Sequence, residues 1–424
     1  MKFKIITLGC KVNKYESEMM REKLISNNYI ETFDNDANII IINTCSVTNM
    51  SDLKSRKLIR YNQRENKGAI TVVCGCSAQY KQEELNDLNI DILIGNNEKS
   101  NIVELIENYK KTNKKYISFI SSRKLEFEDM EINNFEHTRA YIKIEDGCNN
   151  FCSYCIIPFV RGNVRSKDMD KVIDEAKTLV NNNFKEIVLT GIDTGSYGVD
   201  KGYDLTDLLV ELSKIDSLKR IRLSSIDIYD LSDKFINFLK NDNKLCDHLH
   251  ISLQSGSDKI LKLMNRKYTG EEYLNTINKI RKVRPNINIT TDVIVGFPGE
   301  TEEDFNDCIE FCKKVAFSKI HVFPYSKRNG TKACVLDNQI DSKTKKDRSR
   351  KLIEVSNELE LKYYNKFLNK ELEVLIEEVD DNYSIGHTSN YIKVYINNKL
   401  DRNEFYRVKI IKITKDKIYG EIVE

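Results

Sequence analysis

Cys148, Cys152 and Cys155 stand in the stretch Gly147-Cys-Asn-Asn-Phe-Cys-Ser-Tyr-Cys-Ile-Ile-Pro158. This C-x3-C-x2-C spacing is short enough for one loop to bring three thiols onto one metal centre. Soft thiolates select zinc, copper(I) or iron–sulfur. Three ligands leave one coordination position open, whereas a structural zinc site closes with a fourth Cys or His. The next candidates downstream, Cys246 and His248, are far along the chain. Two readings stand at this point: an open iron–sulfur centre, or cysteines in a core or in a zinc site closed from afar.

A second set is spread over the N-terminal part. Cys10, Cys45 and Cys76 follow three apolar runs, Lys4-Ile-Ile-Thr-Leu8, Asn38-Ile-Ile-Ile-Ile-Asn43 and Ala69-Ile-Thr-Val-Val73. Continuous β-branched runs separated by helix-length segments predict a parallel sheet with helices on both faces. Such sheets collect ligands outside the carboxyl ends of their strands, so three residues remote in sequence are expected on one rim, as a second metal site. The plainer alternative is that each is a small buried hydrophobe. Residues two apart on a strand face the same way, so spacing does not choose between Cys74 and Cys76.

The elements that must position these cysteines follow a β–α rhythm. A helix is expected from about Tyr15 to Asn27, another carries Lys54, Arg56, Lys57 and Arg60, and Asp91-Ile-Leu-Ile94 adds a strand. A polar segment from about Glu107 to Phe135, with a modest strand at Tyr116-Ile-Ser-Phe-Ile120, crosses to the next domain. Further strands begin at Arg139, Glu186, Arg220, His248, Asn288 and Lys319. With intervening helices they predict a partial (β/α)6 barrel, whose sites gather at strand carboxyl ends. There lie the glycine-rich turn Thr190–Gly198, then Ser224, Ser225, Asp227 and Gln254, and Ile294-Val-Gly-Phe-Pro-Gly-Glu300. Glycines let backbone approach a ligand closely, although such a turn is more often only a turn. His248 and His250 read as satisfied inner histidines, and Cys308 and Cys312 as core or surface residues.

A basic stretch from Lys332 to Lys351 reads either as a solvated helix face or as a track along a phosphate backbone. A long amphipathic helix then runs to about Phe367, and from Glu371 short alternating strands predict a small closed β-barrel. A chain of 424 residues suggests two or three domains, and its formal charge of +2 announces no nucleic-acid partner in bulk. The 11 cysteines suit metal or catalytic use in a reducing compartment. With no bilayer-length apolar run and no signal-like start, a soluble, cytoplasmic protein with no membrane partner is expected.

The triplet, with an aromatic before its last cysteine, resembles the radical S-adenosylmethionine (SAM) superfamily. The resemblance implies that Cys148, Cys152 and Cys155 hold a [4Fe-4S] cluster whose fourth iron is chelated by SAM, with Tyr154 beside the adenine. Thr7-Leu-Gly-Cys-Lys-Val-Asn-Lys-Tyr-Glu-Ser-Glu18, Asn43-Thr-Cys-Ser-Val-Thr48 and Gly75-Cys-Ser-Ala-Gln79 are similar to the three signatures of the methylthiotransferase family. In that family Cys10, Cys45 and Cys76 would hold a second, auxiliary [4Fe-4S] cluster with Asn13 and Asn49 in its polar surround, leaving Cys74 as a neighbour. The blocks His250–Gly256, Met264–Thr269 and Ile294–Glu300 match as well. They imply Thr190, Gly191, Ser225, Gln254 and the Val295–Gly296 backbone around SAM, with Arg266 near its carboxylate or the substrate. Plain bracing of strand ends is the alternative for Gln254 and Arg266. Family members usually carry Asn or Gln where Asp193 adds a negative charge. Gly386-His-Thr-Ser-Asn-Tyr391 resembles the loop of a TRAM domain, an RNA-binding module, with Tyr391, Tyr395, Lys393 or Arg407 as exposed RNA contacts.

The implied fold class is α/β: an N-terminal doubly wound parallel sheet over 1–130, a radical SAM barrel over 135–365 and a TRAM β-barrel over 367–424. The implied reaction uses one SAM to methylate sulfur held at the auxiliary cluster. A second SAM is reductively cleaved to a 5′-deoxyadenosyl radical that abstracts hydrogen from the substrate carbon, which then receives the methylthio group. No acid–base pair is required. Both clusters must face one cavity, because the radical must meet an unreactive C–H at contact. The signature Gly9–Ser17 resembles the branch acting at C2 of N6-threonylcarbamoyladenosine (t6A) at position 37 of tRNA. The isopentenyladenosine branch more typically reads Gly-Cys-Gln-Met-Asn there, and the ribosomal-protein aspartate branch Gly-Cys-Pro-Lys-Asn. Implied partners are the tRNA anticodon loop, a sulfur donor and an electron donor such as flavodoxin or ferredoxin. An iron–sulfur RNA-binding or assembly protein is the alternative of another class; it gives no reason for six placed cysteines beside a SAM-like barrel.

Overall fold

Isoleucine- and valine-rich runs build the first sheet of the computed structural model, which describes residues 1–46, 49–119, 125–133, 135 and 137–423, without the side chains of 49–51 and 86. Its strands lie in the order Ile30–Glu31, Lys2–Thr7, Ile39–Thr44, Ile70–Gly75, Ile92–Ile94, Tyr116–Ser118, all parallel. Ile39–Thr44 is buried along its whole length, as a strand covered on both faces must be. The order of connection reverses between Lys2–Thr7 and Ile39–Thr44, and the crevice at such a switch point is where doubly wound sheets bind ligands. Cys10 and Cys45 follow those two strands.

The first helix spans Lys11–Ser26 and so begins earlier than the expected Tyr15. Gly9, at φ +108°, turns the chain sharply enough for Cys10 to take the N-cap. Lys11, Asn13 and Glu16 therefore sit on its first two turns.

The second unit has six parallel strands: Arg139–Lys143, Glu186–Thr190, Arg220–Leu223 continued by Ser225–Ile226, His248–Ile251, Asn288–Val295 and Lys319–Pro324. The third strand is broken at Ser224, which divides the barrel wall into two sheets bridged between Ile221 and Leu245. Helices alternate with the strands; Thr269 with Glu272 and Thr301 with Asp304 form capping boxes that fix where two of them begin.

One apolar cluster extends from Phe3 to Leu352 and so serves both units. Met130, Ile132 and Phe135 belong to it, and the Tyr15 hydroxyl lies within hydrogen-bond distance of Met130 O at 2.7 Å and Glu175 Oε1 at 2.9 Å. The polar crossing segment is thus a packed seam. Helix Ser342–Asn365 lies along Lys319–Pro324, where Ser356 Oγ accepts from Ile320 N at 2.9 Å. Arg348 is buried against Glu300 at 2.6 Å, so the basic stretch is only in part a solvated face.

Glu371–Val379, Ser384–Thr388, Lys393–Ile396, Ile418–Ile422 and Phe405–Ile413 close a small barrel in that order. Its 387–391 loop docks on the larger barrel. Arg222 Nη1 donates to Ser389 O at 3.1 Å, Asp247 N to Ser389 Oγ at 3.0 Å and Asn288 Nδ2 to Asn390 O at 2.7 Å.

Candidate active site

Cys10, Cys45 and Cys76 line one cavity of about 810 Å³ with Thr190, Gly191 and Ser225 at the barrel strand ends. Cys10 is exposed on the rim, while Cys45 and Cys76 are buried. Cys74 instead packs into the shared apolar core, where burial pushes its thiol up to about 12. Gly75, at φ +99°, ends the strand and starts the helix at Cys76. That turn breaks the two-residue alternation, so Cys74 and Cys76 do not share a face.

A neighbouring cavity of about 200 Å³ is lined by Tyr154, Cys155 and Gln254, and Ile157 and Asp292 line both cavities. Ile156 and Val160, just beyond Cys155, pack against Cys76. The triplet loop is pinned to the barrel by Ser153, whose N donates to Met264 O at 3.0 Å and whose Oγ donates to Leu263 O at 2.8 Å. Burial pushes the Cys155 thiol up to about 12, so it must shed a proton to become a ligand.

Buried charge separates the two sets. Arg161, on the short helix leaving the triplet loop, donates through Nε to Cys76 Sγ at 3.2 Å and through Nη2 to Asn13 Oδ1 at 3.0 Å. Its Nη1 reaches Glu16 and Asp146, each at 3.0 Å. Lys99 and Lys143 also pair with Glu16, and Lys143 and Arg165 with Asp146. Four cations around two carboxylates leave positive charge in excess below the rim of Cys10, Cys45 and Cys76; burial still pushes the Cys10 thiol up, with the Arg161 guanidinium opposing it. Beside Cys148 the balance is opposite. Asp193 Oδ2 accepts from Asn150 Nδ2 at 2.9 Å and from Ser196 Oγ at 3.0 Å. Burial, with Asp227 beside it, pushes the Asp193 carboxyl up to about 6; burial, with Asp193 and Asp227, pushes Asp230 up to about 8. Arg266 pairs with Asp227 and donates from Nη1 to Cys152 Sγ at 3.3 Å. Arg161, Glu16, Lys143 and Asp146 carried no expectation from sequence, because a buried ion network has no local spacing signature.

Among the other expected residues, Thr190, Gly191 and Ser225 lie on the large cavity and Tyr154 and Gln254 on the small one. Val295 and Gly296 lie on neither lining, and the Gly296 N–H donates to Glu300 Oε2 at 2.7 Å. The side chain of Asn49 lies outside the described residues. His248 and His250 share the Thr290 hydroxyl at 3.1 and 2.9 Å, but His248 Nδ1 has no partner among the described residues, so among these His248 is not the satisfied histidine expected. Lys11 also lines the large cavity, where burial and the Arg222 and Arg139 guanidiniums push its ammonium down to about 8.

Tyr391 is not the exposed residue expected. It is half-buried on the large cavity, stacked between His248 and His387 at 4.9 and 4.8 Å with the Arg222 guanidinium 4.7 Å from its ring. Tyr383, Tyr395 and Tyr419 of the small barrel lie mutually within 6.2 Å and are half-buried as well, so Tyr395 is not the exposed residue expected either. Lys393, Lys412 and Lys417 lie over these rings. No described helix is long and apolar enough to cross a membrane.

Residues 142–312 match the family model of the Radical SAM superfamily, and residues 2–95 that of the Uncharacterized protein family UPF0004. Threonylcarbamoyladenosine tRNA methylthiotransferase MtaB of Bacillus subtilis (strain 168) is 41% identical over 419 residues, 96% of this chain and 93% of its own. The chain belongs to the radical SAM tRNA methylthiotransferases. A second relative of this family, the tRNA-2-methylthio-N(6)-dimethylallyladenosine synthase of Alkaliphilus oremlandii (strain OhILAs), is 36% identical over 437 residues, 100% of this chain and 93% of its own. The solved radical SAM methyltransferase TsrM from Kitasatospora setae has a TM-score of 0.57 at 13% identity, covering 79% of this chain and 77% of that one, a likeness of fold. Radical SAM methylthiotransferases use SAM and two [4Fe-4S] clusters.

The cysteines fit such clusters better than single ions. Zn–S bonds of about 2.3 Å would set tetrahedral sulfurs about 3.8 Å apart. Among the described residues only His250, Asp292 and His321 bring their ligand atoms within 4.8 Å of one another; neither cysteine triplet does. Arg161 and Arg266 each place an N–H donor on one cysteine sulfur, a hydrogen bond that tunes iron–sulfur centres.

Proposed function

We propose that this methylthiotransferase acts at C2 of t6A at position 37 of tRNA, yielding the 2-methylthio nucleoside. The observation that supports it is a pair of adjoining cavities, one lined by Cys10, Cys45, Cys76 and the barrel strand ends and the other by Tyr154, Cys155 and Gln254, with Ile157 and Asp292 on the wall of both. Two centres that must act on one carbon need their cavities to adjoin in this way. The 41% identity to a threonylcarbamoyladenosine enzyme against 36% to a dimethylallyladenosine enzyme, with the signature Gly9-Cys-Lys-Val-Asn13, supports the choice of base.

In this reading Cys10, Cys45 and Cys76 hold the auxiliary cluster and Cys148, Cys152 and Cys155 the SAM-binding one. Bound there, the clusters and SAM supply the radical and sulfur-transfer chemistry. The chain's own groups orient and shield. Tyr154 and Gln254 flank the SAM pocket, Thr190, Gly191 and Ser225 form its edge toward substrate, and the excess carboxylates around Asp193 receive the SAM amino group. Arg266 holds Cys152 and faces the SAM carboxylate; the Val295–Gly296 backbone braces the strand end behind. The division of labour follows 1–130, 135–365 and 367–424, with the lysine-capped tyrosine face of the last unit against the anticodon arm. A cytoplasmic sulfur donor and a low-potential electron donor such as flavodoxin or ferredoxin complete the cycle.

The test is anaerobic reconstitution with iron and sulfide, reduction, and incubation with SAM and anticodon stem-loops bearing t6A37 or isopentenyl-A37. About eight irons per chain, 5′-deoxyadenosine release and a methylthio product on the t6A37 RNA are expected. Product on the isopentenyl RNA alone moves the assignment to that branch, and product only on a ribosomal-protein aspartate to the other. About four irons with no SAM cleavage would mark an iron–sulfur RNA-binding protein.

A further inference from the structure

The large cavity holds a cation that the chain leaves without a counter-ion. Lys11 lines it from the first turn of Lys11–Ser26 and is half-buried. Among the described residues its ammonium makes no ion pair or hydrogen bond, unlike Lys319 on the same wall, which pairs with Glu360 at 2.6 Å. The acid in the field of Lys11, Glu186, is committed to Arg222 at 2.6 and 3.2 Å. Two further residues on this cavity each carry a buried polar atom with no hydrogen-bond partner among the described residues: Ser224 at Oγ and His248 at Nδ1, on residues only 5% and 7% exposed. A buried polar atom without a partner costs free energy unless a ligand completes it. The three groups together describe a subsite for an anion that also carries a hydrogen-bonding group.

Resting on the t6A reading above, we propose that the Lys11 ammonium receives the carboxylate of the threonylcarbamoyl substituent, while Ser224 Oγ and the His248 ring nitrogen pair its hydroxyl and urea groups. A dimethylallyl substituent offers none of these partners. It would leave a cation and two buried polar atoms desolvated, and sites built to hydrogen-bond a substrate group reject the analogue that lacks it. The same subsite thereby selects one modified adenosine and excludes the other.

The experiment compares reconstituted wild type, Lys11→Gln and Ser224→Ala on three anticodon stem-loops: t6A37, its neutral N-methylamide and unmodified A37. For Lys11→Gln, affinity and kcat/KM on t6A37 RNA are expected to fall about 10- to 100-fold. Binding of A37 RNA and of SAM should not change, and wild type should show a similar loss on the methylamide. Ser224→Ala should lose about 3- to 10-fold on t6A37 RNA alone, a second reading of the subsite if Lys11→Gln loses iron. An equal loss on t6A37 and A37 RNA would place Lys11 on a phosphate, and weakened SAM binding would place it on the SAM carboxylate; either overturns the proposal. If wild type itself ignores t6A37 RNA, the substrate reading fails before any variant is made, so the two failures are distinguishable.

Discussion

Replacing Gly9 with alanine tests whether the auxiliary rim depends on the close approach of two strand ends. A Cβ at Gly9 would lie 2.7 Å from Cys45 Cβ and 2.8 Å from Cys45 Sγ, at φ +108°. Ordinary contact begins near 3.4 Å, so Cys45 must retreat by about 0.7 Å. Gly68 provides the control: at φ +81° it has nothing within 4 Å of a new Cβ. Backbone strain costs about 1–3 kcal/mol at either site, and the forced contact adds about 1–3 kcal/mol at Gly9 alone. The consequence for chemistry is sharper, because metal ligands tolerate displacements of only about 0.2 Å. Gly9→Ala should therefore hold about four irons where wild type holds about eight, keep 5′-deoxyadenosine release and lose methylthiolation, while Gly68→Ala keeps all three. Thermal melting, iron counting and nucleoside mass spectrometry read these outcomes. Full iron and methylthiolation in Gly9→Ala, or their loss in both variants, would refute the placement of Cys45 against Gly9.

Cys76→Ala is expected to lose methylthiolation and retain SAM cleavage, whereas Cys74→Ala, a core change, keeps both; mass spectrometry showing the reverse would exchange the third ligand. Arg161→Met removes a donor to Cys76 and a cation from Glu16 and Asp146, for an expected loss of about 3 kcal/mol, since Lys99, Lys143 and Arg165 still pair with those acids; urea titration of the metal-free protein checks it, and a loss below about 1 kcal/mol contradicts it. Burial pushes the Glu186 carboxyl up, but the Arg222 ion pair and hydrogen bond outweigh it and hold it at about 2. A carboxyl depressed on folding stabilises above its unfolded value of about 4.5 and loses that stability as pH falls toward about 2, here about 3 kcal/mol. Wild type and Glu186→Gln should thus converge in melting temperature between about pH 5 and pH 2.5, and a gap that stays constant over that range rules this out.

Local spacing made the placement of the cysteines legible. C-x3-C-x2-C is short enough to act as one loop, and strand-end cysteines converge because parallel sheets align their carboxyl ends. The barrel was readable for the same reason, from β-branched runs at helix-length intervals. Local geometry failed where a single φ decided the outcome. Gly75 separates Cys74 from Cys76, and Gly9 starts the first helix at Lys11, which is what brings Lys11 and Asn13 onto the cavity wall. Partners distant in sequence were equally invisible. Met130 and Ile132 look like isolated apolar residues in a polar segment until the seam forms around them, and Tyr391 looks like a surface aromatic until His248 and His387 stack on it. In each case the missing information was a contact from another unit.

The same consideration explains why the junction between the sheet and the barrel is built from charge as well as apolar surface. Apolar burial is non-directional; it would hold the two units together without fixing the angle between the cysteine sets. Arg161 fixes it, because a planar guanidinium with several acceptors has one satisfactory orientation. Its helix leaves the triplet loop, and its acceptors are Cys76, Asn13, Glu16 and Asp146. Lys143, the last residue of the first barrel strand, and Lys99 of the first unit converge on the same Glu16. A buried network of this kind is weak as a source of stability. Its return is positional: a reaction that carries sulfur from one centre to a carbon activated at another fails if the two drift by an ångström, and Glu16 takes cations from both sides of that gap.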